Sequence, residues 1–249
     1  MKKLLNTKYL PWAVLFLGVV GAALRAYLYA TGVDHRGLLV SGHIAAYLMW
    51  AVHVLFVAVM AFGVYPLLQA AKYSFNFPAS PISGIGSAVA AMGVLVTAIY
   101  TLINGKDPVG ILGGVVGILC AVSLGMRSYC HWQGKRPNGI FDGITCLYMM
   151  LYLVGQYRVW SATPQIQAYA YPLLAVVSVL MACYQNTAFV LSEGNRRMHT
   201  LFHLSGLYFC LLSLPKCDAP VLFAALGVWM LADLCNLTPM PREYQHEKA

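Results

Sequence analysis

The sequence predicts an all-α protein: a polytopic helical bundle integral to a membrane, with about eight transmembrane helices. Three observations carry that reading. Of the 249 residues, 60% are hydrophobic and only 10% charged, well below the roughly 25% charge of soluble domains. The apolar residues gather in continuous runs of about 20, each enough to cross about 30 Å of hydrocarbon as a helix. The runs also lack period-two alternation. That removes the closed β-barrel, the other way of satisfying a backbone in lipid.

The runs fall at about 9–30, 38–68, 82–103, 108–128, 140–160, 168–191, 198–214 and 219–237. The first follows a basic start, Met1-Lys2-Lys3, but is too long for a signal-peptide core, so it reads as a span. Ser80-Pro81 opens the third run, Asp107-Pro108 the fourth, and Asp218 precedes Pro220 at the eighth. Each pairs a capping acceptor with an early proline. Asn104-Gly105, the stretch Gly134 to Gly139, and Glu193-Gly194-Asn195 supply helix-ending turns. Loops this short leave no extramembrane domain, and residues 1–249 read as a single transmembrane domain. On the fourth run Gly110, Gly113, Gly114 and Gly117 make two overlapping GxxxG spacings. An internal packing face is preferred there over a homodimer seam.

Charge sets the expected orientation. The net charge is +8, but the basic residues sit in loops and tails, so the pattern points to anionic lipid and away from nucleic acid. With the N-terminus inside, Lys2, Lys3, Lys8, Lys72, Arg127, Lys135, Arg136, Arg196, Arg197, Arg242 and Lys248 face the cytoplasm. Arg25, Arg36, Lys106, Arg158 and Lys216 face out. Eleven against five predicts both termini in the cytoplasm of a plasma membrane, and the compact loops suit a prokaryotic one. The aromatic pairs Tyr9/Trp12, Tyr27/Tyr29, Tyr129/Trp132 and Tyr157/Trp160 fall near the expected interfaces. The seven cysteines are odd in number, lack CxxC spacing, and form no disulfide framework.

Ionisable groups inside spans are costly, so their positions mark candidate sites. The first four runs look mostly like scaffold. His43 and His53 stand ten residues apart on the second, about 15 Å along the axis, and read as interior hydrogen-bonded histidines. The last four runs differ. Asp142, Thr145, Tyr152 and Gln156 form a polar stripe on the fifth. Gln185 and Asn186 lie on the sixth, His199 and His203 on the seventh, and Asp233 and Asn236 on the eighth. All but the outer part of the fifth-run stripe share the cytoplasmic third, as do Arg127 and His131.

Three functions fit. The first is a transporter or permease for a small polar or cationic solute. Its cavity would be lined by Asp142, Gln185, Asn186, His203, Asp233 and Asn236, with Asp233 or a histidine exchanging protons. The second is a membrane-embedded metal or haem protein, because His199 and His203 at i,i+4 have the spacing of two zinc ligands. His199-Thr200-Leu201-Phe202-His203 is loosely similar to the last-helix histidine pair of seven-span zinc hydrolases related to alkaline ceramidases and adiponectin receptors. Those families add a third histidine from an early span at matching depth, whereas His53 falls near mid-membrane here. The third is a non-catalytic partner subunit, with a second copy or another membrane protein as its partner.

Overall fold

A computed structural model describes residues 9–32, 42–65, 67, 73–77, 80–105, 108–160 and 166–237. Among them run α1 (Leu10–Thr31), α2 (Ile44–Val64), the single turn α3 (Tyr73–Asn76), α4 (Pro81–Asn104), α5 (Pro108–Trp132), α6 (Gly139–Trp160), α7 (Ile166–Val190), α8 (Arg196–Ser213) and α9 (Pro220–Cys235). The chain is an all-helical membrane bundle of eight main helices. Six of these, α1, α2 and α4 to α7, are long and apolar enough to cross a membrane. Helix α9 is apolar but only 16 residues long.

Helices α4 to α9 pack each on the next, and α9 returns to α4, closing a ring of six. The α1–α2 hairpin lies outside it, with α1 against α8. Neighbours around the ring run antiparallel, whereas α1 and α8 run parallel. A Cβ added to Gly86 would stand 2.3 Å from the Ala232 Cβ, and one added to Gly93 would stand 2.3 Å from the Ala225 Cβ. The backbones of α4 and α9 therefore nearly touch, the close approach that small residues permit. One end of the bundle, here the proximal end, collects the starts of α1, α4, α6 and α8 with the ends of α2, α5, α7 and α9. The distal end holds the reverse.

The boundaries show local causes. Ser80 caps α4 as expected, its Oγ accepting from the Ile82 N–H at 3.2 Å. Asp218 does not cap α9, because Ala219 occupies that position. Asp107 lies outside the described residues. Helix α2 begins later than the second apolar run, and His43 caps it instead of riding on it, accepting from the Ala45 N–H at 3.3 Å. Helix α5 runs four residues past the expected end, so Cys130-His131 is helical. Nothing breaks the helix before Gly134, which closes it in the left-handed region at φ 67°. There Lys135 N–H donates to Cys130 O and Gly134 N–H to His131 O, the paired bonds of a Schellman end. Ser192 closes α7 by the same pair of bonds at φ 65°. Asn195 then starts α8, accepting from the N–H groups of Arg197 and Met198.

Lipid-facing aromatics include Tyr9, Trp12, Tyr27, Tyr129, Trp132 and Tyr157, all more than half exposed. Arg25 departs from expectation. Counted as an outer loop charge, it is 1% exposed on α1 and donates to the Leu212 carbonyl of α8. Arg127 and Arg196 are buried too. Without these three the basic residues still divide nine against four, several of them outside the described residues.

Candidate functional site

Two helix ends and a short turn build the centre of the proximal end. Arg127 lies inside α5, before its last turn. The turn at residues 133–138 then returns the chain so that Asp142, in the first turn of α6, meets it. A carboxylate there also gains from the helix dipole. Arg127 Nη1 donates to Asp142 Oδ1, and Nη2 donates to Asp233 Oδ2 of α9 at 2.8 Å. Ser83 in the first turn of α4 donates to the other oxygen of Asp233. The Arg127 guanidinium carbon lies 5.2 Å from the Trp229 ring centroid. Arg127, Asp142 and Asp233 are 4%, 1% and 2% exposed. Charges so deeply buried persist only when directly paired.

The histidines complete the cluster. His203 Nδ1 lies 2.9 Å from the His199 carbonyl of its own helix. A carbonyl can only accept, so Nδ1 carries hydrogen and the neutral ring leaves its lone pair on Nε2. That Nε2 stands 3.6 Å from Asp233 Oδ2. His199 Nε2 meets Asn186 Oδ1 of α7 at 2.9 Å, and the two imidazoles stack with centroids 3.8 Å apart. His131 Nε2 lies 3.5 Å from the Ser83 hydroxyl. The two i,i+4 histidines thus aim at different neighbours. Among the described residues no three His, Cys, Asp or Glu side chains are grouped to hold a metal ion, so the zinc reading has no third ligand there.

Helix α3 covers the cluster from the proximal side. Asn76, 0% exposed, accepts from Arg196 Nη1 at 3.1 Å. Phe77 meets the rings of Phe189 and His199 edge-on. Burial pushes the Tyr73 hydroxyl up to about 12, so it stays a neutral donor. Beneath this cover remains a cleft of about 10 Å³ bordered by Tyr73, Ser83, Arg127, Asp142, Asn186 and Asp233. It has room for about one water molecule.

The structure brings together Asp142, Asn186, His203 and Asp233 from the expected set, with His203 touching Asp233 from outside the cleft. Two others do not border the cleft. Gln185 Oε1 accepts from the Asn195 N–H at 3.4 Å in the α7–α8 turn. Asn236 sits at the C-cap of α9, its backbone N–H bonded to the last turn. The first four runs, expected to be mostly scaffold, contribute Ser83 from the third and Arg127 from the fourth. Arg127 was expected at this depth; its pairing with both carboxylates was not. Ser83 gave no signal, since serines in apolar helices commonly bond their own backbone. His53 lies apart, its Nδ1 2.5 Å from the Met49 carbonyl.

No family model, curated protein or solved structure matches the chain.

Proposed function

We propose that this membrane protein is a proton-coupled transporter of a small polar solute, with Asp233 and His203 as the coupling pair. The observation that supports it is the geometry of that pair. With Nδ1 of His203 committed as a donor, its Nε2 lone pair faces a carboxylate oxygen at 3.6 Å. Two acceptors set against each other invite a proton between them. The charge count agrees, since one guanidinium faces two carboxylates and one negative charge is left for a proton to balance. Gaining or losing that proton changes how firmly Asp233 holds Arg127 and Ser83. Protonation thereby couples to the packing of α4, α5, α8 and α9, the kind of two-state element that coupling requires.

The orientation belongs to the same proposal: a plasma membrane, both termini in the cytoplasm, and the cluster near the cytoplasmic face under α3. The nine-to-four division of basic residues supports it.

The test is proton flux into proteoliposomes driven by a potassium diffusion potential, with a pH dye inside. Asp233→Asn keeps the shape of the side chain and leaves Arg127 paired with Asp142. It should cut solute-dependent proton flux by about tenfold or more while the protein stays monodisperse. Undiminished flux in both Asp233→Asn and His203→Asn would sink the reading.

A further inference from the structure

At the distal end the polar stripe of α6 opens into a second, roomier space. A groove of about 320 Å³ lies between α5 and α6 and is floored by the end of α4. That size falls in the range of small-molecule sites. From Asp142 the stripe passes Thr145 and Tyr148 to Tyr152 and Gln156, about 21 Å along the axis. It joins the ionic cluster to the groove.

Three groups on this stripe have hydrogen-bonding capacity that the protein leaves unused. Among the described residues the hydroxyls of Tyr148 and Tyr152 meet no hydrogen-bond partner, although Tyr148 is only 3% exposed. Gln156 Oε1 is shielded and accepts nothing among the described residues, an arrangement that is unfavourable until a donor reaches it. Across the groove Thr101 gives its hydroxyl hydrogen to the Thr97 carbonyl, and Asn104 gives one of its two amide hydrogens to the Tyr100 carbonyl; the side-chain oxygens of both stay as acceptors. Gly110, Gly113 and Gly155 supply walls without side chains, and a Cβ on Gly113 would meet nothing within 4 Å.

We propose that this groove binds an uncharged, hydroxyl-rich solute, a polyol or small sugar, through Tyr148, Tyr152 and Gln156. Hydroxyl groups both donate and accept, which matches a lining of two phenols and an amide oxygen. A carboxylate has no hydrogen to give the Gln156 oxygen. A cation finds no carboxylate among the described lining residues. The inference rests on the transporter reading, for which the groove is the access site on the face opposite the ionic cluster.

Calorimetric titration of the full chain in nanodiscs with mannitol and glucose, and with acetate and choline as charged probes, tests it. Saturable binding of mannitol or glucose is expected, weakened about tenfold or more by Gln156→Leu and by Gly113→Leu, and retained in Asp233→Asn. The Cβ of Gly113→Leu meets nothing within 4 Å, and an unchanged melting temperature of that variant separates loss of the site from loss of the fold. Preference for acetate or choline, no polyol binding, or unchanged affinity in Gly113→Leu would overturn the proposal. Proton flux that persists without polyol binding overturns only this inference. Polyol binding without proton flux overturns only the transport reading.

Discussion

The two ends of the bundle solve the problem of buried polarity in opposite ways. At the proximal end, full charges stand in direct contact, and the space left among them is about 10 Å³. At the distal end, hydroxyls and amides, with Arg158 at the edge, border about 320 Å³, and among the described residues nothing donates to Gln156 Oε1. The difference follows from the cost of desolvation. A buried ion needs its counter-charge within bonding distance, whereas a neutral hydroxyl tolerates an open neighbour at a cost of a few kcal/mol at most. Tight charge and loose neutrality therefore share one helix, α6, which starts at Asp142 and passes Gln156.

The strongest way to break this contrast is to remove the proximal cation. Arg127→Met leaves Asp142 and Asp233 facing each other without compensation. We expect a loss of about 3–5 kcal/mol, read as a collapse of thermal stability in detergent. Adding Asp142→Asn and Asp233→Asn to the same variant should recover most of it. Failure to recover would mean that Arg127 acts through packing on Trp229 and not through charge.

A smaller contrast compares glycines from the two ends. Gly86→Ala, in the proximal half of the α4–α9 seam, forces a methyl to within 2.3 Å of Ala232 and should cost about 1–3 kcal/mol. Gly113→Ala meets nothing within 4 Å and should be neutral, or stabilising by up to about 1 kcal/mol. Equal effects in a melting experiment would deny that the seam is tight and the groove open.

The mildest probe uses thiols. Cys217 lies beyond α8 at the distal end and Cys130 on α5 at the proximal end, both partly buried. Burial raises the Cys217 thiol, so its thiolate is scarce at neutral pH. An impermeant maleimide on intact cells should label Cys217 slowly, speeding about tenfold per pH unit below that raised value, and should leave Cys130 untouched. The reverse pattern inverts the orientation.

How far the sequence could be read depended on what each helix faces. Helix α2 was plain: it is strongly apolar and mostly unburied, because it faces outward. Helix α8 is not among the helices long and apolar enough to cross a membrane, yet it buries Arg196, His199, Thr200 and His203. Hydropathy reports contact with lipid, and a helix enclosed by other helices is free to be polar. Alignment of the polar stripes drew Asp142, Asn186, His203 and Asp233 to one depth, and depth is what a count along each helix supplies. It could not separate Gln185 from its neighbour Asn186, one bonded into a turn and the other to His199. Rotation about the helix axis is set by packing.

The sequence by itself determined the all-helical membrane bundle, the eight main helices and most of their ends, because apolar length, caps and glycine stops act locally along the chain. Only the tertiary structure decided that Ser83 and Arg127 join the acidic pair, that Arg25 is an interior group, and that α3 covers the cluster. Those facts depend on which helices are neighbours around the ring. Lipid, being uniformly apolar, favours no particular neighbour, so that choice falls to close backbone contacts such as Gly86 on Ala232 and to the ion pairs themselves.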